Sequence, residues 1–339
     1  MSRYWRPVPQ VGPSRPEGAA TLAGGWAWFT HVEVLERGRA PRVTGLEEVP
    51  QEWRARLTAP RAPLMGLRWD RPRLMGILNV TPDSFSDGGV HFDPAVAIAA
   101  GRAMSGEVDL FDVGGESTRP GAREIPSEEE AARVLPVIAA LAAEAPPISI
   151  DTRKAEVARA ALAEGATMVN DVSALSHDAA MAGTVAGAGV PLCLMHAYGP
   201  PETMQDDPRY DDVVLDIYDA LAAKVAEAEA AGIARARIFV DPGIGFGKTL
   251  SHNVALLARV SLFHGLGCPV LVGASRKRFI GTISGAPGGP ARAPGSVAVA
   301  LSCAAQGVQV LRVHDTSDTA QALRLWRAVA TGVRDEDRP

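Results

Sequence analysis

Residues 147–164 read Pro147-Ile148-Ser149-Ile150-Asp151-Thr152-Arg153-Lys154-Ala155-Glu156-Val157-Ala158-Arg159-Ala160-Ala161-Leu162-Ala163-Glu164. A short apolar run ends in a carboxylate, and an Ala-rich stretch comes directly after it. The run is too short for a helix, and its near-continuous hydrophobicity suits a strand covered on both faces, as in a parallel sheet. The Ala-rich stretch reads as the helix that returns the chain. One such pair is a unit of an α/β fold.

The unit recurs along the chain. Apolar runs fall at 74–79, 108–113, 147–151, 166–170, 191–195, 237–241, 269–273 and 309–313. Helical stretches fall between them at 94–105, 127–143, 154–164, 178–188, 210–231, 250–260, 293–305 and 319–329. Asp93 before Pro94 predicts an N-cap with proline at the first helical position. Ser127 with Glu130 predicts a capping box. Strict alternation of strands and helices predicts an α/β fold, a (β/α)8 TIM barrel, with a doubly wound open sheet as the structural rival. No repeat at solenoid spacing is evident.

The chain of 339 residues exceeds what one barrel needs, so an extra piece is expected. The composition shifts near residue 70: Trp5, Trp26, Trp28, Trp53 and Trp69 precede it, and only Trp326 comes later. Short alternating runs such as His31-Val32-Glu33-Val34-Leu35 predict a few strands there, with Pro41, Pro50, Pro60, Pro63 and Pro72 punctuating the rest. We divide the chain into a small, partly β N-terminal appendage at 1–70 and a barrel at 71–335.

The net charge of -5 argues against a nucleic-acid-binding face. It leaves room for an anionic substrate held by a local cluster of cations. Cys193, Cys268 and Cys303 lie far apart without metal-ligand spacing, which predicts reduced, buried thiols. Residues 1–16 have no apolar core of a secretion signal, and no stretch is apolar enough to span a bilayer. The expected location is the cytoplasm.

The residues at the ends of the apolar runs carry the chemistry. The runs end in Asn79, in Asp112-Val113-Gly114-Gly115-Glu116-Ser117-Thr118-Arg119, in Asp151, in Asn170-Asp171, in Met195-His196, in Asp241, in Ser275-Arg276-Lys277 and in Arg312-Val313-His314-Asp315. A barrel gathers such ends at one mouth. Singly, Asp112, Asp171 or Asp315 could be a helix cap. Together, the ends predict a site. Asp151, Asn170 and Asp241 suit the N–H donors of a planar, amide-like ring, and Lys277 suits ring acceptors. Thr118, Arg119, Arg312 and His314, with Asn79, suit a diphosphate. The Asn79 carbonyl oxygen suits Mg²⁺.

Other features mislead. Gly247-Lys248-Thr249 looks like a nucleotide loop, but that pattern needs glycine where Pro242 stands. The histidines lack zinc spacing. His91, His177, His252 and His264 read as solvated or capping. His196 is a candidate pocket residue, and Phe246 a candidate stacking face.

The segments from Leu74 through Asn79-Val80-Thr81-Pro82-Asp83-Ser84-Phe85-Ser86-Asp87-Gly88-Gly89, and from Asp112 through Gly114-Gly115-Glu116-Ser117-Thr118-Arg119-Pro120-Gly121, resemble two signature segments of the dihydropteroate synthases. So do the stretches at 241–248 and 275–277. The resemblance covers residues 74–330 and leaves 1–70 outside. It implies joining of a dihydropterin methyl diphosphate to p-aminobenzoate, giving dihydropteroate and diphosphate in folate biosynthesis. It implies pterin contacts at Asp151, Asn170, Met195, Asp241 and Lys277, with Asp151, Asp241 and Lys277 catalytic. It implies diphosphate contacts at Asn79, Thr118, Arg119, Arg312 and His314, and Mg²⁺ at Asn79. Thr118, Pro120, Phe246, Ser275 and Lys277 would form a p-aminobenzoate pocket open to sulfonamides, beneath mobile loops at 80–91 and 114–124. A homodimer is implied too. Thr316 stands where the pattern has an apolar residue, with little expected effect. Two rivals remain: a methyltetrahydrofolate–corrinoid methyltransferase, which has no use for diphosphate donors, and a non-catalytic pterin-binding paralogue.

Overall fold

The computed structural model describes residues 2–81, 94–117, 122–144, 146–199 and 203–333. The N-terminal part builds β1 (Tyr4–Pro7), β2 (Ala20–Thr21), β3 (Trp28–Phe29), β4 (His31–Leu35), β5 (Arg42–Gly45) and α1 (Gln51–Thr58). Strands β1, β4 and β5 form an antiparallel sheet, and β2 pairs with β3. Alternation in β4 sends Val32 and Val34 into a small core with Trp5, Phe29 and Leu57. Helix α1 is hidden in the sequence by the prolines around it. It starts directly after Pro50, and its Glu52 pairs with Arg56 one turn on.

This part is anchored to the barrel by polar bonds and stacked rings. Arg6 and Arg259 share Glu33 at 2.6 and 3.2 Å. Tyr4 donates its hydroxyl to Asp219, Trp26 its indole N–H to the Ala304 carbonyl, and Arg61 to the His264 carbonyl. Trp53 stacks on Tyr218 with centroids 5.5 Å apart. The structure corrects the reading of His264. It is fully buried, with Nε2 3.1 Å from the Gln306 carbonyl, and burial pushes its pKa down to about 3.

The barrel consists of β6 (Arg73–Asn79), α2 (Pro94–Met104), β7 (Leu110–Gly114), α3 (Ser127–Ala142), β8 (Ile148–Asp151), α4 (Ala155–Ala163), β9 (Met168–Asp171), α5 (Met181–Ala188), β10 (Leu192–Met195), α6 (Val213–Ala230), β11 (Ile238–Asp241), α7 (Leu250–Ala258), β12 (Leu271–Val272), α8 (Arg278–Ser284), α9 (Ala293–Ala305), β13 (Val310–Val313) and α10 (Thr316–Thr331). The sheet order is β11-β10-β9-β8-β7-β6-β13-β12. A parallel bridge from Val240 to Val270, with Val240 N–H on the Pro269 carbonyl at 3.0 Å, closes the ring. Closure excludes the open-sheet rival, which would leave β11 and β12 as edges.

Two helix starts differ from the sequence expectation or lie beyond it. Ser127 is not a cap: Pro126 takes the N-cap position without a side-chain bond. Glu130 is fully buried and accepts instead from Lys154 Nζ at 2.7 Å, because a buried ammonium needs a carboxylate more than a helix end needs a cap. Asp93 lies outside the described residues. Short helix α8, ended by Gly285 at φ +72°, is an element the periodicity does not predict.

Side chains in the barrel fall into layers. Met75, Leu110, Met168, Cys193, Phe239, Leu271 and Val310, from seven different strands, meet in one apolar cluster, and Trp69 from the N-terminal part joins them. Two residues further along a strand, the side chain returns to the same face. Those positions are Ile77, Asp112, Asn170, Met195, Asp241, Gly273 and Arg312. On β8, Ser149 is the register partner of Asp112 and Met168, and Asp151 lies two residues beyond it. Period two therefore turns an apolar floor into a polar upper layer.

Candidate active site

Four residues of that layer form one connected group. Asp112 Oδ2 accepts from Asn170 Nδ2 at 3.1 Å and from Arg312 Nε. Arg312 Nη2 reaches Asp151 Oδ2 at 2.8 Å. Asp241 stands on the other side of Arg312, across Gly273. A Cβ at Gly273 would meet Arg312 Cδ at 3.6 Å and Asp241 Oδ2 at 3.9 Å, so this position lies against both charged side chains.

The loop after β11 brings in the remaining groups. Asp241 Oδ1 accepts the Gly243 N–H at 2.7 Å. Gly243 has φ +67°, and a Cβ there would lie 1.9 Å from the His196 carbonyl, so only glycine lets this turn cross the end of β10. Lys277 enters from the loop after β12. Its Nζ donates to the Ile244 carbonyl and lies 4.4 Å from the centre of the Phe246 ring. Lys248 is buried beneath the loop and donates to the His196 and Phe246 carbonyls at 3.2 and 2.9 Å. Tyr210 donates to the Gly247 carbonyl at 2.9 Å. These bonds fix a glycine-rich loop that would otherwise be mobile, and with it the Phe246 ring.

Burial sets the electrostatics. It pushes the Asp151 carboxyl up to about 7; Asp112 adds to the push, and Arg312 opposes it. Burial also raises Asp241, while the Lys277 charge holds it back. Lys277 goes the other way, down to about 7, because its ammonium is desolvated, with Asp241 pulling upward. Desolvation works against Arg312 too, but Asp112 and Asp151 outweigh it and hold its charge firmly. Among the described residues, Arg312 is thus held as a fixed cation at neutral pH, beside several groups whose charge depends on what binds.

The remaining predicted residues divide three ways. His314 takes its place beside Ser275, with the His314 N–H on Ser275 Oγ at 3.1 Å and Nδ1 at the same distance. Met195 is buried at the end of β10, in register with Asp241. Asn79 ends β6 opposite Gly114 of β7, whose partner on the far side is Asp151. Thr118, Arg119 and Pro120 lie outside the described residues, as does most of the 80–91 loop. His196 lies beneath the 243–248 loop, and its pKa is pushed down to about 3 by burial and by Lys248. His252 does cap a helix, trading bonds with Thr249 at the start of α7. All three cysteines are free and buried.

Two residues receive no ligand role from the sequence. Asp112 counts there among the strand ends that together predict the site, and singly as a possible cap, yet it is wholly buried at the centre of the cluster. Its signal is a carboxylate two residues beyond Leu110 in an apolar strand. Lys248 belongs to the rejected nucleotide-loop pattern, although an amine so deeply buried needs a structural reason. The strand-end residue Asp171 is a local brace, accepting the Ser173 and Leu175 N–H groups at 2.8 and 2.7 Å. Asp315 is taken by Arg276.

The donor set allows Mg²⁺ in one way. Among the described residues no three His, Cys, Asp or Glu side chains gather into a metal cage. A neutral amide oxygen at Asn79 fits an ion that keeps its waters and arrives with substrate phosphates, as Mg²⁺ does.

Comparison with known proteins agrees with this geometry. A family model described as pterin binding enzyme matches residues 75–314. The dihydropteroate synthase of Escherichia coli strain K12 is 47% identical over 260 residues, covering 76% of this chain and 91% of that protein. The Xanthomonas albilineans dihydropteroate synthase, solved in complex with 7,8-dihydropteroate, superposes with a TM-score of 0.71 at 46% identity, over 80% of this chain and 97% of that one. The Yersinia pestis enzyme, solved with a sulfonamide drug, gives 0.74 at 44% identity, over 78% and 96%. Closed barrel, polar upper layer and sequence identity over nearly the whole length of these relatives lead to one conclusion: the chain belongs to the pterin-binding enzyme family and, within it, to the dihydropteroate synthases, transferases of folate biosynthesis.

Proposed function

We propose that the chain joins (7,8-dihydropterin-6-yl)methyl diphosphate to p-aminobenzoate, releasing 7,8-dihydropteroate and diphosphate. The observation that carries this reading is the upper layer itself: Asn170 and Asp151 are joined through Asp112 and Arg312, and Asp241 faces Lys277 and Arg312. Carboxylate and amide oxygens accept the N–H edge of the pterin, and Lys277 donates to a ring acceptor. Met195 lines the ring at the end of β10. Arg312 and His314, with Thr118, Arg119 and Asn79, take the diphosphate. Phe246, Ser275 and Lys277 line the p-aminobenzoate pocket, and Thr118 and Pro120 are the further residues that the family resemblance assigns to it.

The reaction is dissociative in this scheme. The bond from the pterin methylene to the diphosphate oxygen breaks, and its electron pair leaves with the diphosphate. Arg312 and His314 stabilise the charge that develops there. Asp151 and Asp241, as anions in a water-poor pocket, stabilise the cation left on the pterin methylene by Coulomb attraction. The amine nitrogen of p-aminobenzoate forms the new bond to carbon and then loses a proton. No side chain acts as nucleophile. Asn79 would be the protein oxygen on Mg²⁺, and the ion supplies charge neutralisation on the leaving group.

The test is a product assay with both substrates. Dihydropteroate and diphosphate are expected in equal amounts, falling at least about tenfold when Mg²⁺ is chelated and recovering when it is restored. A sulfonamide added to the same assay is expected to compete with p-aminobenzoate and not with the pterin. Product formation indifferent to chelation removes the metal. Methyl transfer without diphosphate favours the corrinoid rival, and pterin binding without product favours the paralogue.

The proposed setting is a homodimer in the cytoplasm. Among the described residues no helix is long and apolar enough to cross a membrane. Leu325 and Val329, one turn apart on α10, are 65% and 76% exposed, an apolar strip suited to a second copy through the outer helices. A monomer in sedimentation at micromolar concentration would end the dimer reading.

A further inference from the structure

Asp112 has no assigned substrate contact in the proposed reaction, yet its bonds go to two groups that have one, Asn170 and Arg312. We propose that Asp112 is a positioning residue: it fixes the Asn170 amide with its oxygen free for the ligand, and it anchors Arg312 while the guanidinium tip passes from Asp151 to the diphosphate. The proposal rests on the dihydropteroate synthase reaction.

Hydrogen-bond inventory settles the amide. Asp112 Oδ2 accepts from Arg312 Nε and from Asn170 Nδ2, the latter at 3.1 Å, so the NH₂ end of the amide is the one turned to Asp112. The amide oxygen is then left to accept from a ring N–H. Were the amide free to rotate, it would offer a donor as readily as an acceptor, and selection for the N–H edge of a pterin would weaken.

Arg312 raises a second requirement. Its Nη2 lies on Asp151 Oδ2 at 2.8 Å, the carboxylate that the pterin must use. Substrate and Arg312 therefore compete for Asp151. The Nε–H, nearer the backbone, is held separately by Asp112. A guanidinium gripped at Nε can swing its tip away from Asp151 and still keep a buried counter-charge. Without Asp112, Asp151 would be the remaining carboxylate bonded to Arg312 among the described residues, and leaving it would strand a charge inside the barrel. Asp112 itself is fully buried and two residues below the rim, so substrate need not reach it. Among the described residues, its second oxygen, Oδ1, and Ser149 Oγ on the register-paired strand are both buried without a bond. The carboxylate is thus committed through Oδ2.

The experiment compares the wild-type protein with Asp112→Asn and Asp112→Ala, each with both substrates varied. The KM for the pterin diphosphate is expected to rise at least about tenfold in both variants, with the KM for p-aminobenzoate changing less than about twofold. A second readout is the acid limb of kcat/KM in Asp112→Asn. The charged groups facing Asp151 are Asp112, Arg312, Glu130 and Asp171. Removing one negative neighbour makes the Asp151 anion easier to form, so the limb moves to lower pH; a purely structural lesion scales the profile without moving it. Thermal melting reports folding. If Asp112→Ala fails to fold, the isosteric Asp112→Asn alone decides. An unchanged pterin KM, or an equal loss in every parameter with no shift of the limb, overturns the proposal. If the wild-type chain makes no product, the reaction reading falls, and calorimetric binding of the pterin diphosphate to the same variants still tests the positioning role.

Discussion

Asp241→Asn is expected to lower kcat by at least about tenfold, a loss of roughly 1.4 kcal/mol or more in transition-state stabilisation. The substitution keeps the shape of the side chain, and its amide oxygen can still accept the Gly243 N–H, so the loop after β11 should hold. What disappears is charge. Asp241 is 5% exposed, in a setting where a carboxylate acts at short range without water to screen it. The methylene cation loses one of its two anionic neighbours. Lys277 suffers as well: burial already brings its ammonium down to about 7, and Asp241 is the foremost charge holding it up. Without that anion, Lys277 is neutral at physiological pH and becomes a weaker donor to the ring. Lys277→Ala should therefore reproduce much of the loss. The measurement is steady-state turnover at saturating concentrations of both substrates, with melting temperature as the check on folding. Wild-type turnover in both variants would take these residues out of the mechanism.

Trp69→Ala should be the most destabilising single change in the N-terminal part, at about 3–5 kcal/mol in urea unfolding. Trp69 is 4% exposed and packs among Met75, Leu110, Met168, Cys193, Phe239, Leu271 and Val310, the apolar floor of the barrel. It meets Phe239 edge-on at 5.5 Å, and its indole N–H donates to the Ala62 carbonyl at 2.7 Å. Removing the ring leaves a void among residues from seven strands. A loss below about 1 kcal/mol would mean that the segment before β6 merely rests on the barrel. Because Trp69 lies at the opposite end from the polar layer, the surviving folded fraction should keep a near-normal KM for both substrates.

These two residues mark how far the sequence can be read. Asp241 is legible because a carboxylate at the end of an apolar run is costly unless it has work to do, and the cost is visible in one dimension. Trp69 counts there only as one of several tryptophans in a proline-rich stretch. Nothing in its neighbours says that its ring closes a barrel whose strands begin after it and end past residue 310. The same contrast separates Asp151 from Asp112. Both are aspartates on apolar strands, but Asp151 stands at a strand end and Asp112 lies two residues below one. Only the packed barrel shows that Asp112 faces inward onto Asn170 and Arg312. Ser127 with Glu130 shows the reverse error: a local pattern suggests a cap, and a buried lysine from another strand end claims the glutamate.

The alternation of strands and helices through the barrel and the residues at the strand ends were determined by the sequence alone. Hydrophobic period and chain punctuation are local properties, and they survive without knowledge of neighbours. Tertiary structure decided the closure between β11 and β12, the pairing of Arg312 with two carboxylates from distant strands, and the seat of Trp69. Each of these depends on side chains far apart in the chain meeting in a volume from which water is excluded. Their energy comes from that exclusion, and no single stretch of chain contains it.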